Sequence, residues 1–141
     1  MVSEIETPLR GTGGYVMGKF VLSQAKTGYK FNLVAGNGEV IASSQVYKTE
    51  ATAKKGIASV SANAAVAKIE NQTEKDFAPV TNPKFEVYKD KKGEFRFRLK
   101  AKNGEIIVTG EGYVSKSGCK NGIESIKKNA DSPIIREESA E

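Results

Sequence analysis

The sequence has no histidine and a single cysteine among its 141 residues. Without histidine the chain lacks the usual general base near neutral pH and the commonest transition-metal ligand. It also lacks every Ser–His or Cys–His nucleophile pair. One thiol excludes an internal disulfide, and no clustered set of Cys, Asp and Glu offers the ligands a zinc ion needs. No apolar run approaches the roughly 18 residues of a membrane helix. The opening MVSEIETPLR is acidic and carries neither the basic nor the apolar region of a secretory signal. These absences predict a cytoplasmic, non-catalytic protein with no cofactor, no metal and no membrane partner.

Two apparent motifs do not withstand their context. GGYVMGK, residues 13–19, fits G-x-x-x-x-G-K, yet a phosphate loop needs Ser or Thr next and a helix behind it. Here Phe20 follows, opening a strand pattern, so residues 1–17 are expected to form a flexible leader. Glu39 and Glu105 each follow an Asn-Gly pair, where a solvated acid is ordinary. Cys119 falls on an apolar helical stripe and is expected to be an inert buried thiol.

What is present is a folded-protein composition: 38% hydrophobic, 28% charged, with six Phe and five Tyr. That length holds one ordinary domain or two very small ones. The net charge of +5 is uneven. Residues 18–70 carry +4 and residues 83–137 carry +5, and the remaining segments are acidic. A mild basic bias of this kind permits contact with a polyanion without requiring it.

The strongest feature is a duplication. AGNGEVIASSQVY from Ala35 reappears as AKNGEIIVTGEGY from Ala101, and the segments Tyr29–Ala64 and Phe95–Ala130 share 14 identities over 36 positions. Each copy reads as strand, strand, strand, helix and a short fourth strand. KFVLSQAK and KFEVYKDK alternate apolar and polar residues up to turns that end at Gly28 and Gly93. YKFNLVA and FRFRLKA alternate again, then reach Asn37-Gly38 and Asn103-Gly104. That dipeptide is favoured at a two-residue type I′ hairpin, because both central residues take positive φ.

Strict alternation about that turn places Phe31, Leu33, Ala35, Val40, Ala42 and Ser44 on one face, with Phe97, Leu99, Ala101, Ile106 and Val108 as their counterparts. Beyond Tyr47 and Tyr113 the period becomes helical. Thr49 and Ser115 are suited to N-cap positions. Ala53, Gly56, Ile57, Val60 and Ala64 then recur on one stripe, mirrored by Cys119, Gly122, Ile123, Ile126 and Ala130. A glycine within each helix, Gly56 and Gly122, implies a close approach to the sheet, since it costs about 1 kcal/mol relative to Ala. Val66–Ile69 and Ile134–Ile135 supply candidate fourth strands.

These observations predict an α+β chain of two tandem β-β-β-α(-β) repeats, packed as an intramolecular pseudo-dimer with antiparallel sheets. The organisation is leader 1–17, repeat one 18–70, linker 71–82, repeat two 83–137 and acidic tail 138–141. Whether each terminal strand joins its own repeat or crosses to the other stays open at this point.

The paired pattern F-x-V/L, G-x-(Y/F)-R/K-F-x-L-x-A-x-NGE-x-I, an aromatic, a capped helix and GI-x-S-V/I resembles the YegP-like family of small bacterial and archaeal proteins. The resemblance covers both repeats. It implies an α+β fold of antiparallel strands and packed helices, in which single-repeat members would have to dimerise, and it supplies no catalytic or binding residue.

One site candidate remains. Arg96, Arg98 and Lys100 alternate along one strand and so point to one face, with Tyr88 on the neighbouring strand and Lys30 at the matching place in repeat one. Basic side chains beside an aromatic ring can track a phosphate backbone and stack a base. Arg96 also has a cross-hairpin acid within reach in Glu111. Tyr47 and Tyr113 are expected to close the ends of the sheet–helix core, and any ligand pocket beneath them would come in two copies. The expectation is a protein-interaction or structural module, monomeric with an internal pseudo-twofold, with weak nucleic-acid binding through the Arg96–Lys100 strand as the alternative.

Overall fold

A computed structural model describes residues 18–136. The leader 1–17 and the acidic tail 138–141 lie outside the described residues. The chain forms β1 (Lys19–Ala25), β2 (Gly28–Val34), β3 (Val40–Ser44), α1 (Glu50–Ala64) and β4 (Lys68–Asn71), followed by β5 (Lys84–Lys89), β6 (Phe95–Lys100), β7 (Ile106–Gly110), α2 (Lys116–Asn129) and β8 (Ile134–Arg136).

All eight strands join one sheet in the order β4-β5-β6-β7-β3-β2-β1-β8. The two meanders pair antiparallel internally, and β3 meets β7 antiparallel at the centre, with Ser43 opposite Thr109. At the edges the expectation of antiparallel sheets is corrected. β4 runs parallel to β5, and β8 runs parallel to β1. The terminal strands therefore cross over: the last strand of repeat one borders repeat two, and the last strand of repeat two borders repeat one. The helix before each terminal strand returns the chain to the start of the sheet, and a strand entered after such a crossover runs parallel to its neighbour.

One core serves both repeats. Phe20, Leu22, Phe31 and Leu33 share it with Phe85, Phe97, Leu99 and Val108, all at most 1% exposed. Burying a large apolar side chain yields roughly 1.5–3 kcal/mol, so pooling two small cores is a substantial gain for a chain of this size. Both helices bury the stripe read from the sequence: Ala53, Gly56, Ile57, Val60 and Ala64 in α1, and Cys119, Gly122, Ile123 and Ile126 in α2. Their N-caps are Thr49, which forms a capping box with Thr52, and Ser115, which accepts from the Gly118 N–H at 3.0 Å. Ser61 of α1 hydrogen-bonds the Ala130 carbonyl that ends α2.

The hairpin turns differ from the type I′ expectation. The Gly38 N–H donates to the Ala35 carbonyl at 2.9 Å, so the central pair is Gly36-Asn37 rather than Asn37-Gly38. Gly38 comes next with φ of +90°, and the second turn repeats this with Gly104 at +88°. Asn37 Oδ1 and Asn103 Oδ1 each accept the N–H two residues on, at 3.0 Å. This side-chain turn stabilises the loop without positive φ at Asn.

The extra loop residue shifts the register between Leu33 and Val34, and between Leu99 and Lys100. Val40 and Ile106, assigned to the core by strict alternation, are accordingly 38% and 43% exposed, while Ile41 and Ile107 are 5% and 4%. The bulge confines the change to the turn end: beyond it Leu33 faces Ala42 and Leu99 faces Val108, the pairing strict alternation predicts, and Ala42 and Val108 stay buried.

Candidate interaction face and paired clefts

The polar face of the sheet lies opposite the two helices. One row crosses six of its eight strands, from β4 to β2: Glu70, Glu86, Arg98, Thr109, Ser43 and Asn32 are successive register partners. Pleat alternation brings these side chains together from both repeats.

Arg96, Arg98 and Lys100 do share this face, but they are not free cations. Arg98 Nε donates to Glu86 Oε1 at 2.6 Å, and Lys100 and Lys84 stand 3.3 and 3.4 Å from Glu86 Oε2. Arg96 pairs with Asp90 at 2.8 Å, on its own hairpin turn, rather than with Glu111. The preference is geometric. Asp90 Oδ1 already accepts the Lys92 and Glu94 N–H groups, which holds its Oδ2 toward Arg96 Nε. Tyr88 joins the group as a platform, with the Arg98 guanidinium 4.5 Å from its ring centroid. In repeat one Lys30 is exposed opposite Ser23, and no carboxylate pairs with it among the described residues.

Glu70 and Glu86 carry no signal of their role in the sequence, yet they are the most consequential charges of this face, each 3% exposed. Glu70 accepts from Gln72 Nε2 at 2.7 Å, the Val80 N–H at 2.8 Å and Lys84 Nζ at 2.9 Å. Those bonds hold its carboxyl down at about 2. Glu70 sits at the sheet rim with few atoms around it, so its partners rather than depth exclude water. Burial would raise the Glu86 carboxyl, but the hydrogen bonds and charges of Arg98 and Lys100 outweigh it and keep the group below its ordinary value. The crossover that sets β4 beside β5 makes Glu70 and Glu86 register partners.

On the helical side, the two tyrosines occupy equivalent corners. Tyr47 exchanges backbone hydrogen bonds with Tyr29, and Tyr113 with Phe95. Their rings stack on Phe31 and Phe97, at 11° and 17° between planes. This explains the helix glycines: a Cβ at Gly56 or Gly122 would overlap the Tyr47 or Tyr113 hydroxyl. The close neighbour is the tyrosine and the phenylalanine beneath it, more than the sheet backbone.

Each tyrosine borders a cleft completed by the hairpin of the other repeat. The cleft at Tyr47, about 240 Å³, takes Ser59 from α1 and Asn103, Glu105 and Ile107 from repeat two. The cleft at Tyr113, about 180 Å³, takes Ser125 from α2 and Asn37, Glu39 and Ile41 from repeat one. The same five residue types thus recur in both, assembled across the repeats. Burial raises both phenols above their ordinary value, as do the nearby charges, Glu105 at Tyr47 and, at Tyr113, Cys119, Glu111 and Glu39. The clefts diverge at three polar positions, one of them Thr52 in the first against Gly118 in the second. Lys55 and Gln45 line the first, where the second has Asn121 and, in an adjoining open depression, Glu111.

Among the described residues no group of three His, Cys, Asp or Glu side chains is placed to hold a metal, and no helix is long and apolar enough to cross a membrane. Cys119 is fully buried, and burial pushes its thiol up to about 11.

Similar proteins reinforce the duplication. A solved structure, the solution NMR structure of the protein of unknown function yegP from E. coli, superposes with a TM-score of 0.71 at 31% identity, covering 92% of this chain and all of that one. The UPF0339 protein YegP of Yersinia pestis is 38% identical over 122 residues, which is 86% of this chain and 96% of the relative. A UPF0339 protein in the ptx operon 5′ region of Stutzerimonas stutzeri is 70% identical over 46 residues, and that match spans 41% of its length. A family described as "Domain of unknown function (DUF1508)" matches residues 25–71 and again residues 90–137. The chain belongs to the DUF1508, or UPF0339, family as a tandem of two repeats.

Proposed function

We propose that this chain is a non-catalytic, cytoplasmic protein-interaction module, built as a covalent pseudo-dimer that offers the uncovered face of its sheet to a protein partner. The observation that carries this is the ion-paired row on that face. Arg96, Arg98, Lys84 and Lys100 are matched by Asp90, Glu86 and Glu70 at 2.6–3.4 Å. At its centre the Arg98 guanidinium stacks on Tyr88, and Arg and Tyr are residues enriched at protein interfaces.

The alternative, polyanion binding through the same strand, is disfavoured by those pairs. A phosphate would have to displace Glu86 and Asp90, giving up charge-assisted hydrogen bonds worth about 1.5–3 kcal/mol each.

A photo-crosslinking residue placed at Tyr88, with one at Lys120 of α2 as the control, tests the proposal in the source cells. The expected result is one protein partner captured at Tyr88 only, whose binding to purified protein is lost on Arg98→Glu. Equal capture at both positions, or capture of nucleic acid at Tyr88, would overturn it.

A further inference from the structure

The chain holds three Asn-Gly pairs: Asn37-Gly38, Asn103-Gly104 and Asn121-Gly122. An asparagine side chain before glycine is open to attack by the next backbone nitrogen, because no Cβ crowds that nitrogen. The attack forms a bond from the glycine nitrogen to the asparagine Cγ and breaks the Cγ–Nδ2 bond. The proton lost by the glycine nitrogen leaves with Nδ2 as ammonia, and a five-membered cyclic imide remains. Water then adds to one of its two carbonyls and opens the ring to aspartate or isoaspartate. No oxidant or reductant takes part, and water is the only co-reactant.

The structure separates the three pairs. Asn121 lies midway along α2, and Gly122 is buried against Tyr113. Ring closure turns the asparagine ψ away from its helical value and breaks the hydrogen bonds around it, which a packed helix resists. Asn37 and Asn103 sit in hairpin turns instead. In each, Oδ1 accepts the N–H two residues on at 3.0 Å, from Glu39 or Glu105. That oxygen gathers negative charge as the glycine nitrogen attacks, and an N–H already aimed at it stabilises the charge.

The attacking N–H is itself held by the carbonyl three residues back, Ala35 at 2.9 Å or Ala101 at 2.8 Å, so the turn must open first. Opening is easy where the backbone is exposed and little packs on it. The first turn meets that condition better. Asn37, Gly38 and Glu39 are all exposed, and no atom lies within 4 Å of where a Cβ would stand on Gly38. At the second turn Gly104 is half-buried, with Asn82 Nδ2 at 3.4 Å from the same point.

We propose that Asn37 is a site of spontaneous self-modification, converted in the folded chain to aspartate or isoaspartate by attack of the Gly38 nitrogen, while Asn103 converts more slowly and Asn121 is protected. Aspartate adds a negative charge beside Glu39 and keeps an acceptor for the Glu39 N–H. Isoaspartate adds a carbon to the backbone of a turn whose closure sets the bulge between Leu33 and Val34. Asn37 also lines the cleft at Tyr113, so either product alters that cleft.

The test holds the full chain at mildly alkaline pH, folded and in guanidinium chloride, and follows each Asn-Gly peptide by mass spectrometry. A protease that cleaves before aspartate but not before isoaspartate tells the two products apart. The denatured sample supplies the rate of each pair without structure. Asn37 should convert in the folded chain within about threefold of that rate, as an opening free energy near zero implies. Asn121 should slow by about a hundredfold or more, because opening α2 draws on the global stability. Asn103 should fall between them. The Asn37 rate should rise with pH, since the attacking nitrogen must give up its proton. Asn37→Gln, whose longer side chain closes a less favourable ring, should remove the conversion there and leave the other two pairs as they were. An Asn37 that converts only in guanidinium chloride, equal protection of all three pairs, a folded-state rate at Asn103 equal to or above that at Asn37, or a rate independent of pH would overturn the proposal.

Discussion

Glu86 binds Arg98 through one carboxylate oxygen, at 2.6 Å from Nε, and receives Lys84 and Lys100 on the other at 3.4 and 3.3 Å. One buried acid thus engages two of the three cations of the basic strand that stands out in the sequence. Removing it separates the two views of the face. Glu86→Gln should destabilise the fold, because it leaves three cations crowded around a neutral amide. It should also create salt-sensitive binding to single-stranded oligonucleotides that the parent protein lacks. Fluorescence anisotropy at low and moderate salt measures this. Tight binding by the parent protein, lost on reversing Arg96, Arg98 and Lys100, would favour the nucleic-acid alternative instead.

Glu70 makes stability depend on acid. Its folded carboxyl is held at about 2 against the ordinary 4.5, so its contribution is complete above pH 4.5 and disappears as the pH falls toward 2. The amount is on the order of 2 kcal/mol, reduced from the full shift because the group lies at the rim. Urea midpoints measured between pH 7 and pH 2.5 should fall accordingly. Glu70→Gln should lower the midpoint at pH 7 and flatten that acid limb.

Gly56 and Gly122 offer a contrast between propensity and packing. Alanine favours a helix by about 1 kcal/mol over glycine. Here its methyl would overlap a tyrosine hydroxyl backed by Phe31 or Phe97. Gly56→Ala and Gly122→Ala should each destabilise by about 2 kcal/mol, the usual scale of overpacking. Adding Tyr47→Phe or Tyr113→Phe should recover part of that loss in thermal unfolding. A stabilising effect of the single variants would show that the tyrosine moves aside freely.

The crossover has its own signature in hydrogen exchange. The Phe20 N–H donates to the Pro133 carbonyl at 2.9 Å, and Val21 pairs with Ile135. A chain ending at Pro133 should exchange amides of β1 about tenfold faster, the effect of losing roughly one hydrogen bond of protection there. The strands of repeat two should be nearly untouched. Loss of protection centred on β5 and β6 would place β8 with its own repeat.

Cys119 reports global opening. Its thiol is fully buried and pushed up to about 11, so neither exposure nor thiolate is present at pH 8. Modification by a disulfide reagent should proceed only at the rate of unfolding, and faster labelling would reveal local opening of α2.

Much of the architecture is legible in the sequence because its signals are local. Period-two alternation marks the strands, Thr49 and Ser115 mark helix starts, and the duplicated pattern lets each copy check the other. Strict alternation fails only at Val40 and Ile106, because the turn closes one residue earlier than expected and a bulge restores the predicted register at Ala42 and Val108. The partner of Arg96 is hidden for a related reason: Asp90 is held toward it by backbone N–H groups, an arrangement that only the folded hairpin creates. Glu70 and Glu86 are silent in the sequence, since an acid reads as solvated until its neighbours are known.

The division reflects the range of the forces. Hydrophobic period, capping and turn chemistry act over a few residues, so the sequence by itself determined the elements, the two repeats and the stripe each helix buries. Tertiary structure alone decided which strand lies beside which. Sharing one core, returning each terminal strand to the other repeat and seating each hairpin against the opposite helix are long-range choices. They bring Glu70 beside Lys84 and set Glu39 near Tyr113, and those juxtapositions across the two repeats are where the candidate chemistry of this protein resides.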